Sequence, residues 1–92
     1  MKNPMRDFLS RLRWDKRMRG RRYVIRFVSR GAPRNYEEVE SSEVVDVTRD
    51  GFVIVSRGEE KWIPYHRVIE IREEDSGRII FSKEKKVYRF KP

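Results

Sequence analysis

Residues 49–72, RDGFVIVSRGEEKWIPYHRVIEIR, decide the fold of this chain. They contain two runs of β-branched and aromatic residues, at positions 52–56 and 62–72, and each run follows a short turn sequence with glycine. The turn sequences occupy residues 49–51 and 57–60. Apolar runs of this length that are joined by tight turns are typical of neighbouring antiparallel strands. The segment therefore predicts a β-meander.

The sequence on both sides of this meander adds further short strands. Residues 23–29 alternate between two faces and stop at the turn sequence RGAP, residues 30–33. β-Branched and aromatic residues with this alternation favour a half-buried strand. The other predicted strands lie at residues 44–47, 79–81 and 87–90.

One amphipathic helix is predicted near the N-terminus. Asn3 followed by proline is a typical N-cap pattern, and the next apolar residues have the i, i+3, i+4, i+7 spacing of one helical face. These apolar residues are Met5, Phe8, Leu9 and Leu12. The helix should end near Trp14 and dock this face on a sheet. Residues 16–22, KRMRGRR, have no apolar period and are predicted to form a loop.

These elements predict an α+β fold. One N-terminal helix packs on a mostly antiparallel sheet of five or six short strands, which is either open against the helix or rolled into a small barrel. With 92 residues, of which 37% are apolar, the chain is expected to form a single domain over residues 1–92 with one modest core.

Pro64 makes the second run of the meander unusual. Proline cannot donate a backbone hydrogen bond, so its strand should lie at a sheet edge or contain a bulge. Strict alternation through residues 63–71 would place Arg67 among core side chains. Either a bulge near Pro64 resets the alternation, or Arg67 points inward at the mouth of a pocket.

Composition excludes several kinds of site. The chain has no cysteine and one histidine, so disulfides, thiolate zinc sites and a thiol nucleophile are excluded, and neither a metal site nor a cofactor is expected. No apolar run approaches the roughly 20 residues of a membrane span, and the N-terminus does not resemble a signal peptide. A cytoplasmic protein without membrane contact is therefore expected.

Charge is distributed unevenly along the chain. Residues 1–34 hold twelve Lys or Arg and two Asp, a net charge of +10, whereas residues 35–75 hold five and twelve, a net charge of −7. Residues 76–92 hold six basic residues and one acidic residue, a net charge of +5. Adaptation to heat accounts for abundant interspersed charge but not for this clustering. A basic, arginine-rich third is typical of a protein that binds a phosphate backbone.

The only histidine lies beside an arginine, at His66 and Arg67. An arginine fork donates two parallel hydrogen bonds to phosphate oxygens, and histidine is the side chain that changes charge near neutral pH. The pair therefore indicates a phosphate or nucleotide site. The alternative is that His66 is a half-buried strand residue bonded to a backbone carbonyl and that Arg67 is an ordinary surface charge.

Three motifs in this order resemble a known family. They are Trp14-Asp15 at the end of the first helix, RGAP at residues 30–33, and IPYHRV at residues 63–68. Together they resemble the small, mainly archaeal RNA cyclic-group end recognition domain, over nearly the whole chain. The resemblance implies a module that recognises RNA ends with a 2′,3′-cyclic phosphate, found alone or joined to RNA-processing enzymes.

The resemblance also implies roles for individual residues. Arg30, His66 and Arg67 would face the phosphate, with Trp14 and Tyr65 as stacking or supporting aromatic residues. Related sequences often have histidine directly before the Arg-Gly pair, where this chain has serine. A catalytic arrangement of two histidines is therefore impossible here.

The first functional hypothesis is a non-catalytic RNA-binding module. Its phosphate-reading residues would hold a single-stranded RNA 3′ end, and an RNA-processing enzyme is its expected protein partner. Four loop arginines would hold the adjoining RNA strand electrostatically. These are Arg17, Arg19, Arg21 and Arg22.

Two other hypotheses stay open. A cyclic phosphodiesterase or ribonuclease would use His66 as general acid or base and Arg67 to stabilise the charged transition state. Such chemistry commonly needs two proton-transfer groups or a metal, and one histidine is present. A sequence-neutral nucleic-acid-binding or ribonucleoprotein subunit would use the basic surface alone, with steep salt dependence and no preference for RNA ends.

Overall fold

The computed structural model describes residues 3–90, which form one α-helix and eight β-strands. Helix α1 spans Pro4–Trp14, and the strands are β1 (Tyr23–Val28), β2 (Tyr36–Glu40), β3 (Val44–Val47), β4 (Gly51–Ser56), β5 (Glu59–Pro64), β6 (Val68–Glu73), β7 (Ile79–Ser82) and β8 (Val87–Tyr88). The predicted α+β class is confirmed. The predicted number of five or six strands is too low.

The strands form two antiparallel sheets instead of one. A five-stranded sheet has the order β2-β1-β6-β7-β8, and a three-stranded sheet has the order β3-β4-β5. Every pairing within them is antiparallel. Neither sheet closes on itself, so the alternative of a small closed barrel is wrong.

The chain passes between the two sheets at two similar corners. The first corner is the 3₁₀ turn Ser41–Glu43, between β2 and β3, and the second corner is the 3₁₀ turn Tyr65–Arg67, between β5 and β6. Each corner is flanked by buried aliphatic residues in equivalent places. These are Val39 and Val44 at the first corner, and Ile63 and Val68 at the second. Both corners are thus anchored in the core on either side.

The second corner explains why the single strand predicted over residues 62–72 is wrong. Pro64 ends β5, an edge strand as its missing donor requires, and the next backbone N–H, of Tyr65, bonds to the carbonyl of Asp50 at 3.2 Å. The 3₁₀ turn then resets the alternation, so that Tyr65 and Val68 are buried and Arg67 is exposed. Arg67 therefore does not point inward at a pocket mouth.

Strand β2 was not predicted because its sequence, YEEVE, is largely acidic. Only Val39 is buried in it, and β2 is held by its pairing with β1 along its whole length. A strand with one buried residue has no apolar alternation to detect. The missed strand β2, and the division of the strand predicted over residues 62–72 into β5 and β6, account for the two strands beyond the six predicted.

Helix α1 is built as predicted. The Asn3 side chain accepts hydrogen bonds from the backbone N–H groups of Met5 and Arg6 at 3.0 and 3.2 Å, which caps the helix N-terminus. Phe8 packs edge-on against Tyr23 of β1, with ring centroids 5.0 Å apart. At the other end of the helix, Arg13 donates a hydrogen bond to the Val44 carbonyl at 2.8 Å. The helix therefore contacts both sheets.

The buried side chains form one hydrophobic cluster between the sheets and the helix. The five-stranded sheet contributes Ile25 and Ile71, the three-stranded sheet contributes Phe52 and Ile54, and Leu9 comes from the helix; each is at most 1% exposed. This shared core holds the two sheets, and with them the turns at their ends, in place relative to each other. In the described part of the chain, no helix is long and apolar enough to cross a membrane.

Candidate nucleic-acid interface

Strand pairing brings three turns to one end of the five-stranded sheet. Near the end of β1, Phe27 pairs with Val68, the first residue of β6, and Val28 pairs with Tyr36, the first residue of β2. The turn at residues 29–35 therefore lies at the same sheet end as the second corner. The turn after β7 is there too, because Lys83 donates a hydrogen bond from Nζ to the His66 carbonyl.

The three turns place several basic residues at this sheet end, and we name four of them the turn cluster. Its members are Arg30, His66, Arg67 and Lys83, all of them exposed. Within residues 3–90, no side-chain hydrogen bond or ion pair engages Arg30, His66 or Arg67. The alternative of a half-buried His66 bonded to a carbonyl is wrong, since the imidazole is exposed and the bond at this residue is made by its own backbone oxygen. The other part of that alternative, Arg67 as an ordinary surface charge, agrees with the exposure of Arg67 and stays open.

The serine in the position before Arg30 is already engaged. Ser29 donates a hydrogen bond from its hydroxyl to the Glu37 carboxylate. Glu37 also lines a cavity of about 530 Å³ between the β1–β2 and β4–β5 turns, which has Arg30, Arg57 and Lys61 on its rim. Cations and carboxylates are therefore mixed on this side of the turn cluster.

The predicted aromatic residues differ in their exposure. Tyr65 is buried, stacks on Phe52 with ring centroids 6.0 Å apart, and donates a hydrogen bond from its hydroxyl to the Thr48 carbonyl at 2.6 Å. Tyr65 therefore anchors the second corner to the core. Trp14 is 76% exposed and Trp62 is 52% exposed, so these two rings offer surfaces on which a base can stack.

The burial of Tyr65 makes folding stability depend on pH in the alkaline range. Burial raises the pKa of its hydroxyl to about 12, from an ordinary value of 10.0. Such a group stabilises the fold fully below pH 10, and the contribution is lost as the pH rises through 12. We expect the urea midpoint of the wild type to fall more steeply across this range than that of Tyr65→Phe. Parallel pH profiles of the two proteins would contradict this expectation.

The basic loop, residues 16–22, lies at the opposite end of the same sheet, where β1 begins and β2 ends. It is more ordered than predicted, since Lys16–Met18 forms a 3₁₀ turn and the Met18 side chain is buried. Arg17 forms an ion pair with Asp15 at 3.0 Å, and its hydrogen bonds hold the pKa of the Asp15 carboxyl below the ordinary value.

The other three predicted loop arginines line a cleft of about 450 Å³, which we name the arginine cleft. Helix α1, the basic loop and the first corner form its walls. Arg22 lies 3.9 Å from the Glu40 carboxylate, while Arg19 and Arg21 form no side-chain hydrogen bond or ion pair with any described residue. The cleft was not predicted, because residues 40–44, which are distant in sequence from the helix and the basic loop, complete it.

Part of the positive charge of the protein is neutralised by ion pairs with its own carboxylates. On the solvent face of the five-stranded sheet, Arg26 and Arg72 share the Glu38 carboxylate at 2.8 and 2.9 Å, and Arg72 also contacts Glu70 at 3.1 Å. The hydrogen bond from Arg72 is the main cause that holds the pKa of the Glu38 carboxyl below its ordinary value. Arg26 and Arg72 are therefore less available to an external anion than those exposed arginines at the two sheet ends that have no such ion pairs.

Metal ligation finds no support in this arrangement. Across residues 3–90, His, Cys, Asp and Glu side chains do not gather in any group of three or more that could hold a metal ion. The positive groups at the two sheet ends are arginine and lysine, which bind anions directly.

A helix, two antiparallel sheets on one core, and basic side chains at both ends of the larger sheet define a small basic α+β domain. The chain belongs to the MJ1316 RNA cyclic group end recognition domain family, whose model matches residues 1–83. The resemblance predicted from the three motifs is thus confirmed. The family is named for recognition rather than for a reaction.

Curated relatives agree with this assignment. A UPF0248 protein of Pyrobaculum islandicum is 40% identical over 79 residues, which cover 86% of this chain and 88% of the relative. UPF0248 protein PAE2518 of Pyrobaculum aerophilum is 35% identical over 81 residues, 88% of this chain and 100% of the relative. A UPF0248 protein of Methanococcus vannielii is 29% identical over 79 residues, 86% of this chain and 90% of the relative. No solved structure matches the chain.

Proposed function

We propose that this protein is a non-catalytic RNA-binding module that recognises RNA termini with a 2′,3′-cyclic phosphate, in RNA processing or repair. The observation that carries the proposal is the exposure of Arg30, His66 and Arg67 at one sheet end, with no side-chain partner among the described residues. The family description, which names RNA cyclic group ends, supports the choice of ligand.

The chemistry of the turn cluster suits such an end. A cyclic phosphate is an anion with two non-bridging oxygens, whereas a 3′-hydroxyl end has no negative charge at that position. Arginine donors form short, charge-assisted hydrogen bonds with phosphate oxygens, and a protonated histidine adds a further donor. Two arginines and a histidine would therefore favour the phosphate end over the hydroxyl end.

The basic loop would hold the RNA farther from its terminus. Strand β1 has six residues, so the two basic sheet ends are separated by about 17 Å at a rise of about 3.3 Å per residue. Several nucleotides of single-stranded RNA would span this distance. Phosphate contacts made by Arg19 and Arg21 add affinity and position the strand without reading its sequence.

Binding, rather than turnover, is the better match for these side chains. Opening a cyclic phosphate by in-line attack commonly needs two proton-transfer groups or a metal. His66 is the only histidine of the chain, and the Ser29 hydroxyl beside Arg30 is occupied by Glu37. We infer that the module presents RNA 3′ ends to an RNA-processing enzyme, and that it works in the cytoplasm.

A fluorescence titration with three forms of one short single-stranded RNA tests this function. The RNA would end in a 2′,3′-cyclic phosphate, a linear 3′-phosphate or a 3′-hydroxyl, and each form would be titrated at two salt concentrations. The exposed Trp14 and Trp62 supply the signal. From the family description we expect the cyclic end to bind more tightly than the linear phosphate, and from the charge of the turn cluster we expect both to bind more tightly than the hydroxyl end. The difference should persist at higher salt, and the RNA should be recovered intact.

Two results would contradict the proposal. Equal affinity for all three RNAs, with a steep fall in salt, would indicate a sequence-neutral basic protein. Time-dependent opening of the cyclic phosphate that disappears in His66→Ala would indicate an enzyme.

A further inference from the structure

Given the RNA binding proposed above, we propose that the arginine cleft is a subsite for one ribonucleotide, with its phosphate on Arg19 and Arg21 and its nucleoside on the apolar floor of the cleft. The cleft is distinct from the turn cluster, since it lies at the opposite end of β1. It would hold an internal nucleotide, whatever chemical group ends the RNA.

Only part of the positive charge around the cleft is available to an external anion. Arg13 uses one guanidinium nitrogen on the Val44 carbonyl, and Arg22 is near the Glu40 carboxylate. Arg19 and Arg21 are exposed and without a side-chain partner among residues 3–90. Because Glu40 repels a phosphate at its side of the cleft, we assign the phosphate to the side with Arg19 and Arg21.

The floor of the cleft is apolar, which a site for phosphate alone does not require. It is formed by the core side chains Leu9, Met18 and Val44, together with the partly buried Leu12. A volume of about 450 Å³ falls within the range of about 300–1,000 Å³ typical of small-molecule pockets. Because Leu9, Met18 and Val44 are almost fully buried, the apolar surface that a nucleoside can cover here is mainly that of the partly buried Leu12, while its phosphate contacts the rim.

Two hydroxyl groups of the first corner line the same cleft and have complementary hydrogen-bonding capacity. Ser41 Oγ accepts a hydrogen bond from the Tyr23 backbone N–H at 3.1 Å, so its own hydrogen remains available for donation. Ser42 Oγ donates to the Glu40 carboxylate at 3.3 Å and keeps its lone pairs as acceptors. A donor and an acceptor side by side suit a ribose 2′-hydroxyl, the group that distinguishes RNA from DNA.

An NMR titration of backbone amides with small probes tests the cleft directly. The probes would be adenosine 3′-monophosphate, 2′-deoxyadenosine 3′-monophosphate and inorganic phosphate, none of which carries a cyclic end. We expect the largest shifts at Gly20, Ser41 and Ser42, with the ribonucleotide binding more tightly than the deoxyribonucleotide and both more tightly than phosphate. Shifts confined to residues near Arg30 and His66 would overturn the assignment.

Other probe results also decide the matter. If inorganic phosphate binds as tightly as the nucleotides, the apolar floor contributes nothing and the nucleotide subsite is wrong. If a short polyglutamate peptide shifts the same amides as strongly as the ribonucleotide, the cleft recognises negative charge in general and the subsite is likewise wrong.

A matched pair of variants gives a second measurement. Arg21→Ala should weaken adenosine 3′-monophosphate binding about tenfold, the effect of losing one charge-assisted hydrogen bond. Arg49→Ala removes the same charge from an exposed position between β3 and β4, away from the cleft, and should bind this nucleotide as the wild type does. Equal weakening in both variants would show that net charge alone is responsible and would overturn the subsite.

The proposed end recognition and the nucleotide subsite can fail separately. If the RNA titration shows a preference for cyclic ends while Arg21→Ala leaves mononucleotide binding unchanged, the subsite is wrong and end recognition stands. If the mononucleotide binds in the cleft while all three RNA ends bind equally, the subsite stands and end recognition is wrong.

Discussion

Replacing Arg30 and Arg67 together by alanine is expected to weaken binding of RNA with a cyclic-phosphate end about 100-fold and to abolish the preference for that end. Each arginine would donate charge-assisted hydrogen bonds to the terminal phosphate. Their exposure places each contribution at the low end of the charged range, about 1.4 kcal/mol, and two such losses amount to about 100-fold. The measurement is the same three-RNA titration.

The matched control removes two positive charges at the other sheet end. Arg19→Ala with Arg21→Ala should weaken binding of all three RNAs by a similar factor and leave the order of their affinities unchanged. Urea unfolding of both double variants should resemble that of the wild type, because exposed arginines of this kind contribute little to stability. End recognition by the turn cluster is contradicted if both double variants lose affinity for all three RNAs equally.

Gly51→Ala is expected to destabilise the protein by about 2–3 kcal/mol, the upper part of the range for an over-packed site. A Cβ atom at this position would lie 2.5 Å from the Ile63 carbonyl oxygen and 2.8 Å from two atoms of the Trp62 ring. The carbonyl belongs to β5, which pairs with β4 along its whole length, so it cannot move without breaking the ladder. Urea unfolding at neutral pH measures the change.

Gly58→Ala is the control for a glycine substitution in the same meander. Nothing lies within 4 Å of a Cβ atom at position 58, so the cost there is that of its positive φ of 78° alone, about 1 kcal/mol. Gly51→Ala should therefore unfold at a lower urea concentration than Gly58→Ala. If it unfolds at the same or a higher concentration, close backbone packing at Gly51 does not limit stability.

The accuracy of the sequence-based prediction depended on how local each signal was. Helix α1 has an N-cap and a regular apolar period, and strand β1 has an alternating one. In each element, the residues that form the signal lie close together in sequence. The second corner has no such signal apart from Pro64. Its apolar residues, Ile63, Tyr65 and Val68, continue the appearance of one strand while the chain moves from one sheet to the other.

Residue types in the candidate sites could be selected from the sequence, but their arrangement could not. Arg30, His66 and Arg67 were singled out by motif, whereas their location at one sheet end depends on the pairing of β1 with β6. Lys83 was missed because its approach to His66 requires the antiparallel return of β7. Spacing along the chain contains no information about such long-range pairings.

The order of the strands has a consequence for when the turn cluster can form. The whole three-stranded sheet lies in the chain between β2 and β6, so the pairing of β1 with β6 closes a long loop. Local hairpins such as β4–β5 form without this loop-closure entropy, and non-local pairings of this kind slow folding. During synthesis, Arg30 therefore leaves the ribosome well before the corner with His66 exists. We expect a nascent chain to become able to hold an RNA end only after β6 has been released and has joined β1.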